Sequence, residues 1–418
     1  MTEKWKVRVS MEQKKPNKKK KWIKTRHRIV RNLAYAVLYP YSRIKYGIRI
    51  TKFKEQGDRP YLILLNHQTA FDQFFVGMAF KGPVYYVASE DLFSMGWVSD
   101  ILRFVVAPIP IKKQTNDARA VINCARVAKE GGTIAIAPEG NRTYSGVTEY
   151  IKPSIVNLIR FLRLPVAFYR IEGGYGVQPR WSDVKRKGII RGGVSCVMEP
   201  EEYKAMTDDE LYGRVCCELY VDEYQIEEQY FHKKSAEYLE RAMYVCPDCG
   251  LSEFESHNDV ITCKTCGKQI RYRADKKLEG VGCTFPFATV TEWYRYQNSF
   301  VNGLDYTKTP DKLIYSDTVE LSEVILYHGK NRLRQNAEWR LYGDRFVVDE
   351  GTSEELVLPF SELGVVTVLG KNKLNVYHGD QVYQIKGSKR MNALKYMNFY
   401  YRYKNVTEEV ENGQFLGL

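Results

Sequence analysis

Apolar runs of strand length alternate with helical segments over the first two hundred residues. The runs lie at 61–65, 84–88, 133–137 and 164–168. Between them, residues 74–80 have the pattern of a buried helix, and residues 117–129 place apolar side chains on one helical face. Such an alternation predicts an α/β unit in which a sheet carries helices on its faces.

Two further helices are predicted at the ends of this unit. Residues 29–40 place four apolar side chains on one face, those of Ile29, Leu33, Ala36 and Val37. Pro40 is expected to end this helix, which either lies in a bilayer interface or packs on the core. Near the other end, Thr207 and Glu210 form a capping box, from which we expect a surface helix of about thirty residues that closes the unit.

Strand patterns dominate from residue 317 onward. Apolar or alternating runs are separated by hairpin turns at 343–344, 372–373 and 379–380, and Ser388 caps a last helix. This pattern of about seven antiparallel strands closed by a helix resembles a pleckstrin-homology-like or GRAM-like module. The resemblance implies binding of lipid headgroups or of a protein partner, and a scaffold domain without a ligand is the alternative. Residues 285–310 have the pattern of an irregular connection.

The formal net charge of +13 is concentrated at the start of the chain. Residues 1–31 carry +11, whereas the rest of the chain carries +2. A basic arm beside an apolar helix fits the anionic face of a membrane, where each Lys or Arg contributes roughly 1 kcal/mol. A purification tag or a nucleic-acid-binding arm would carry the same charge. No run of eighteen apolar residues exists, so no membrane-spanning segment is expected.

Four of the nine cysteines form two C-x-x-C-G knuckles. Cys246 and Cys249 make the first knuckle, and Cys263 and Cys266 make the second. Four thiolates at this spacing suit a closed structural Zn²⁺ site, with iron as the alternative metal. The segment 243–275 resembles a zinc ribbon that is too short to fold without its metal. Its charges are mixed, so we interpret it as an interaction or spacer element. Paired cysteines at metal-ligand spacing also indicate a reducing compartment.

A candidate catalytic pair stands where the apolar run at 61–65 ends. His67 follows the run, and Asp72 lies at the start of the next predicted helix. A carboxylate can fix the tautomer of an imidazole, which then takes a proton from a hydroxyl nucleophile. A buried histidine beside an aspartate that caps a helix would give the same pattern.

A second polar turn follows the run at 133–137. It contains Glu139, Gly140 and Arg142. Glycine permits a tight turn, and arginine can hold a phosphate through two hydrogen bonds. The glutamate can accept a hydrogen bond from a substrate hydroxyl or hold the loop. Taken alone, the turn is also compatible with a surface loop closed by a salt bridge.

Together, the stretches 66–72 and 138–143 resemble the glycerolipid acyltransferase family, typified by 1-acylglycerol-3-phosphate acyltransferases. That family carries N-H-x-x-x-x-D followed by P-E-G-T-R-S, and the matching blocks here are NHQTAFD and PEGNRT. Weaker matches at 109–113 and 164–166 fit the family's other two blocks, with Lys113 where arginine is common. The likeness extends over roughly residues 30–200.

The resemblance implies transfer of an acyl group from a thioester to a hydroxyl. His67 is then the general base and Asp72 orients it, while the glycerol phosphate is held by Lys113, Glu139, Gly140 and Arg142. The implied acceptor is a lysophospholipid, 1-acylglycerol 3-phosphate by default, and the donor is acyl-CoA or acyl carrier protein. A non-catalytic adaptor and a nucleic-acid-binding zinc-ribbon protein are the alternatives, although the near-neutral body argues against nucleic acid.

The expected organisation has five parts. A basic disordered arm (1–28) precedes an α/β acyltransferase domain (29–242) with a mixed sheet flanked by helices. A zinc ribbon (243–275), a linker (276–314) and an antiparallel β-rich domain (315–405) closed by a C-terminal helix follow. We expect a cytoplasmic enzyme attached peripherally to a surface of anionic lipids, with structural zinc, and with a protein partner for the C-terminal modules as a further possibility.

Overall fold

A mixed seven-stranded sheet organises the first half of the chain. In the computed structural model, which describes residues 21–93, 96–111, 118–325 and 329–408, its strands are β1 (Ile48–Ile50), β2 (Leu62–Leu65), β3 (Val84–Ser89), β4 (Ile109–Ile111), β5 (Thr133–Ile136), β6 (Val166–Glu172) and β7 (Ile190–Met198). Their spatial order is β1-β7-β6-β2-β5-β3-β4. Neighbouring strands run parallel, except that β6 and β7 are antiparallel.

Helices pack on both faces of this sheet. They are α1 (Thr25–Tyr46), α2 (Asp72–Ala79), α3 (Trp97–Val105), α4 (Ala118–Lys129), α5 (Ile155–Leu162), α6 (Gly174–Val177), α7 (Pro200–Lys204) and α8 (Asp208–Leu219). Alternate residues of β2 point to opposite faces, so Leu62 and Leu64 pack with α4, α5 and α8, whereas Ile63 and Leu65 pack with α1 and α2. The predicted α/β unit with a mixed sheet and flanking helices is therefore confirmed.

Helix α1 is longer than the sequence pattern predicts at both ends. It begins at Thr25, inside the stretch expected to be a disordered arm, and it continues through Pro40. The expectation that Pro40 ends the helix is wrong, because Tyr46, beyond the proline, is buried and packs against the Phe71 ring at 4.9 Å between centroids. The helix ends instead at Tyr46, and the next residue, Gly47, has a φ of 63°, which favours glycine. Among the described helices, none has the length and apolar character needed to cross a membrane.

Helix α8 is shorter than the helix of about thirty residues expected from its capping box. The box itself is present, since Glu210 N donates to Thr207 Oγ1 at 3.2 Å. The helix ends at Leu219 because tertiary contacts replace its own hydrogen bonds. Thr148 Oγ1 donates to Leu219 O at 3.0 Å, and Thr148 N donates to Val221 O at 3.0 Å.

The cysteine-rich segment forms two small antiparallel sheets. One pairs β8 (Val245–Cys246) with β9 (Gly250–Leu251), and the other contains β10 (Phe254–His257), β11 (Val260–Cys263), β12 (Gln269–Tyr272) and β13 (Leu278–Gly280) in sequential order. Strand β13 lies beyond residue 275, within the segment expected to be a linker.

A helix follows where an irregular connection was predicted at 285–310. Helix α9 (Val290–Asn302) begins after Thr289, whose hydroxyl accepts a hydrogen bond from Glu292 N at 3.1 Å. The prediction is wrong for this stretch, because Thr289 and Glu292 form a Thr-x-x-Glu capping signal that begins a helix. Trp293, on the inner face of the helix, is fully buried and donates from its indole to Val245 O at 2.8 Å.

The last part of the chain is a seven-stranded antiparallel sheet closed by a helix, as predicted. Its strands are β14 (Tyr315–Ile325), β15 (Gly329–Leu341), β16 (Arg345–Val348), β17 (Leu356–Pro359), β18 (Leu363–Leu369), β19 (Lys373–His378) and β20 (Gln381–Gly387), followed by α10 (Ala393–Thr407). The spatial order is β17-β16-β15-β14-β20-β19-β18. One apolar cluster joins the sheet to Tyr396 and Tyr400 of α10.

The three parts of the chain share a further apolar core. Trp181 from the first sheet's unit, Phe254 and Tyr272 from the cysteine-rich segment, Trp293 of α9 and Leu394 of α10 belong to one buried cluster. The contact between the first and last parts is therefore built from core side chains.

Candidate active site

The imidazole of His67 is held by the carboxylate of Asp72. His67 Nδ1 lies 2.8 Å from Asp72 Oδ2, and the side chains are 27% and 1% exposed. Asp72 also accepts hydrogen bonds from Gln68 N at 2.8 Å and from the Thr69 hydroxyl at 2.6 Å. A carboxylate fixed in this way requires the Nδ1–H tautomer, which leaves Nε2 of the half-exposed ring free to act as a base.

The strand end that carries His67 is fixed by the amide side chains on either side. Asn66 Nδ2 donates to Ile171 O at 2.8 Å, and Asn66 Oδ1 accepts from Ile171 N at 2.7 Å. Gln68 Oε1 accepts from Gly174 N at 2.8 Å. Because both amides bond backbone groups at the end of β6, they connect two neighbouring strands at the point where the sheet meets the cavity.

Glu139 holds the loop, which was one of the two roles left open for it. Its Oε1 accepts from His67 N at 2.6 Å, and its Oε2 accepts from Glu149 N at 2.7 Å. Burial raises the pKa of Glu139 well above its usual range. Gly140 next to it has a φ of 68°, a backbone conformation that glycine adopts with little strain and other residues adopt rarely. Thr143 N closes the loop by donating to His67 O at 3.1 Å.

Two arginines, the partly buried Arg142 and the buried Arg180, lie beside this loop. Burial, together with the neighbouring Arg180, lowers the pKa of Arg142 to about 10, so the guanidinium stays charged near neutrality. Arg180 is not predictable from the sequence, because it lies 38 residues from Arg142 and no local pattern marks it. Arg180 Nη1 donates to Arg142 O at 3.0 Å, and its Cζ lies 4.2 Å from the centre of the Tyr144 ring.

One cavity of about 1340 Å³ brings these groups together. Five of the six residues predicted to act on substrate line it, namely His67, Asp72, Glu139, Gly140 and Arg142. Apolar side chains of α1, α2 and α3, among them Leu38, Met78 and Leu102, line another part. The volume exceeds the roughly 300–1,000 Å³ of ordinary small-molecule pockets, so it has room for a long apolar chain beside a polar group. Lys113 lies outside the described residues.

The four predicted metal ligands converge. The sulfur atoms of Cys246, Cys249, Cys263 and Cys266 all lie within 4.8 Å of one another. Cys246 Sγ and Cys266 Sγ are 3.8 Å apart, and a tetrahedral site with Zn–S bonds of about 2.3 Å requires nearly that separation. The glycine after each knuckle has a positive φ, 73° at Gly250 and 74° at Gly267, as the tight turn demands. The donor set therefore fits Zn²⁺.

The first part of the chain is similar to known proteins. A family model described as Acyltransferase matches residues 45–170, and no curated protein matches the chain. Among solved structures, the 1-acyl-sn-glycerophosphate (LPA) acyltransferase PlsC from Thermotoga maritima aligns with 19% identity over 46% of this chain and 75% of that chain, with a TM-score of 0.38. The N-terminal PH domain of human ARAP2 aligns with 12% identity over 23% of this chain and 85% of that chain, with a TM-score of 0.19.

Proposed function

Because residues 45–170 match a family model described as Acyltransferase, we propose that the protein is an O-acyltransferase of phospholipid synthesis. It moves a fatty acyl group from a thioester donor, acyl-CoA or acyl carrier protein, to a hydroxyl of a lysophospholipid. The observation that carries the proposal is the 2.8 Å contact between His67 Nδ1 and Asp72 Oδ2 at the wall of a cavity that also contains Arg142.

The reaction follows from this arrangement. His67 Nε2 takes the proton of the acceptor hydroxyl while the oxygen attacks the thioester carbonyl carbon, and a C–O bond forms. Asp72 stabilises the imidazolium that results. As the tetrahedral intermediate collapses, the C–S bond breaks and His67 returns the proton to the departing thiolate. No covalent acyl-enzyme is required, so positioning of the two substrates supplies much of the rate.

The acceptor we propose is 1-acylglycerol 3-phosphate. Arg142 binds the phosphate, with Lys113 as a second cation, and Gly140 lets the loop approach the substrate closely. Glu139 acts through the loop, since both of its oxygens already accept backbone N–H groups. The acyl chains occupy the part of the cavity lined by α1, α2 and α3.

The experiment that tests this function is a matrix of labelled donors and acceptors, with His67→Ala as the blank. Acyl-CoA and acyl carrier protein are each paired with glycerol 3-phosphate and 1-acylglycerol 3-phosphate. Loss of the base is expected to lower turnover by roughly a hundredfold to ten-thousandfold, with an unchanged melting temperature. His232→Ala, at an exposed histidine, is the control. Near-wild-type turnover of the His67 variant would remove the proposal.

We also propose that α1 and α3 rest on a membrane of anionic lipids. Ile29, Leu33 and Val37 form a stripe on α1 that is 57–68% exposed, while the other face of the helix packs on the core. Trp97 and Phe104 of α3 are 72% and 58% exposed. Exposed apolar stripes beside basic residues are typical of helices that lie in a bilayer interface. This placement supplies lipid substrates directly to the apolar part of the cavity and makes the enzyme peripheral on the cytoplasmic side.

Zinc is proposed as the structural metal of a ribbon at residues 243–275. Cys246 and Cys263 are buried and Cys266 is exposed, and four thiolates leave no open coordination position for catalysis. Bound zinc would hold together two sheets whose strands are only two to four residues long. Phe254 and Ile261 within them belong to the core shared with α9 and α10, so the metal supports the contact between the parts of the chain.

A further inference from the structure

The C-terminal part of the chain forms one wall of the cavity that contains His67. Tyr294 of α9, Val368 and Gly370 at the end of β18, and Leu394 and Met397 of α10 all line that cavity. None of these residues belongs to the stretch matched by the acyltransferase family, which ends at residue 170. The polar end of the cavity is therefore enclosed by elements that the family match does not cover.

Arg180 connects this wall to the loop that carries Arg142. Its Nη1 donates to Arg142 O at 3.0 Å and its Nη2 donates to Val368 O at 3.3 Å. The neighbouring segment is tied to the same strand pair, because Lys371 Nζ donates to Ser182 O and Asp183 Oδ1, both at 2.6 Å. The position of Arg180 in the cavity thus depends on the C-terminal sheet.

Among the described residues, no carboxylate lies within ion-pair distance of Arg142 or Arg180. Burial raises the pKa of Glu149, the nearby carboxyl, and Arg180 partly opposes that rise. Arg180 is 5% exposed, and a buried guanidinium without an anion is costly. An anion in the cavity would remove that cost.

Three buried side chains of the same wall and loop carry polar atoms that have no hydrogen-bond partner in the part of the chain that the structure describes. They are Nε of Arg180, the hydroxyl of Tyr144 and Oδ1 of Asn398, on residues that are 5%, 4% and 1% exposed. All three residues line the cavity. Buried polar atoms in native proteins are almost always hydrogen-bonded, so this end of the cavity is suited to a ligand with anionic oxygens and a hydroxyl donor.

We propose that the C-terminal part closes the acceptor end of the acyl-transfer cavity, and that Arg180, fixed by Val368, binds the acceptor's phosphate together with Arg142. The inference rests on the proposed function for the identity of the acceptor. It assigns to α9, β18 and α10 a role inside the active site, that of limiting the size of the group attached to the phosphate. The ligand class is a phosphate monoester with a free hydroxyl.

The first test measures equilibrium binding of glycerol 3-phosphate and of inorganic phosphate to the full chain by calorimetry. Arg180→Gln is expected to weaken both by roughly ten- to a hundredfold, since a charge-assisted hydrogen bond is lost. Arg186→Gln is the matched control, because Arg186 is 2% exposed and stacks on Trp181 but does not line the cavity. Equal affinities of wild type and Arg180→Gln, or equal losses in both variants, would overturn the assignment.

The second test addresses the wall through acceptor choice. Met397→Ala enlarges the cavity and is expected to raise transfer to a lysophospholipid with a phosphodiester headgroup, relative to 1-acylglycerol 3-phosphate, by about tenfold. Met391→Ala is the control, at a buried methionine that packs on Gly387 and does not line the cavity. If Met397→Ala leaves the ratio of the two transfer rates unchanged, or if the control shifts it equally, then the C-terminal part does not limit the size of the acceptor's headgroup.

The two tests separate this inference from the function beneath it. If the wild type transfers no acyl group but glycerol 3-phosphate binding depends on Arg180, the acyltransferase proposal fails and the anion site stands. If transfer requires His67 but phosphate binding ignores Arg180, the enzyme stands and the second arginine is removed from the site.

Discussion

Replacing Asp72 by asparagine tests the catalytic pair with little change of shape. The carboxylate accepts from His67 Nδ1 at 2.8 Å and from Gln68 N at 2.8 Å through Oδ2, and from the Thr69 hydroxyl at 2.6 Å through Oδ1. An amide NH₂ at the Oδ2 position would face three donors, namely His67 Nδ1–H and the backbone N–H groups of Gln68 and Thr69. At the Oδ1 position it faces the Thr69 hydroxyl, which can rotate to accept, and the Thr69 N–H, which cannot. The second orientation is therefore preferred and keeps an oxygen on the imidazole.

The magnitude follows from the lost charge. In the transition state His67 is an imidazolium beside a carboxylate that is 1% exposed. At an effective dielectric constant near 20, two unit charges about 4 Å apart attract by about 4 kcal/mol. Removing that attraction lowers turnover by about a thousandfold. Because substrate contacts elsewhere are unchanged, the loss is expected in kcat and not in KM for either substrate.

The assay is initial-rate acyl transfer at saturating donor and acceptor. Asp222→Asn is the matched control, since the Asp222 carboxylate also accepts a backbone hydrogen bond, from Tyr224 N at 3.0 Å, but does not line the cavity. Melting temperatures of both variants report whether the loop around residue 72 has kept its shape. A kcat for Asp72→Asn within tenfold of the wild type would refute the role of the charge.

Three further changes have defined outcomes. Metal analysis of the full chain, purified without chelator, should give one zinc per chain, and Cys263→Ser should lose it while Cys283→Ser retains it; a metal-free wild type contradicts the ribbon. Leu33→Glu should lower the affinity for anionic vesicles, measured by sedimentation, roughly tenfold or more, whereas Leu313→Glu, also at an exposed leucine, should not. Equal losses of affinity in both variants would contradict the proposal that α1 rests on the membrane. Burial raises the pKa of Glu223 to about 7, above an unfolded value of about 4.3. The contribution of Glu223 to the free energy of unfolding is therefore full below about pH 4.3 and is lost as pH rises through 7, by up to about 4 kcal/mol. Glu223→Gln should flatten the fall of melting temperature between pH 5 and 8, and parallel curves would contradict this.

The parts of the fold predicted from sequence are those set by local pattern. The strand ending before His67 is apolar at every position, and the turn at Glu139–Arg142 needs a glycine with positive φ, so both are visible in a few residues. Pattern alone did not show where α8 ends. That point depends on hydrogen bonds to Thr148, some seventy residues away, which a local pattern cannot contain.

The missed elements separate into two kinds. Helix α9 could have been predicted, because Thr289 and Glu292 form a capping signal and Val290, Trp293 and Val301 repeat at helical spacing. Arg180 could not, since its relevance comes from Arg142 and from Val368, which is 188 residues away. A single arginine before a tryptophan has no local feature that separates it from a surface residue.

The double hydrogen bond between Asn66 and the backbone of Ile171 affects how genetic screens of this protein should be interpreted. Asn66 is 1% exposed and does not line the cavity, yet its replacement would displace the adjacent histidine. Saturation mutagenesis scored by growth would therefore rank Asn66 with the residues that carry out the reaction. Complementation profiles need a fold reporter, such as protease resistance, before intolerance at a position is taken as evidence of contact with lipid.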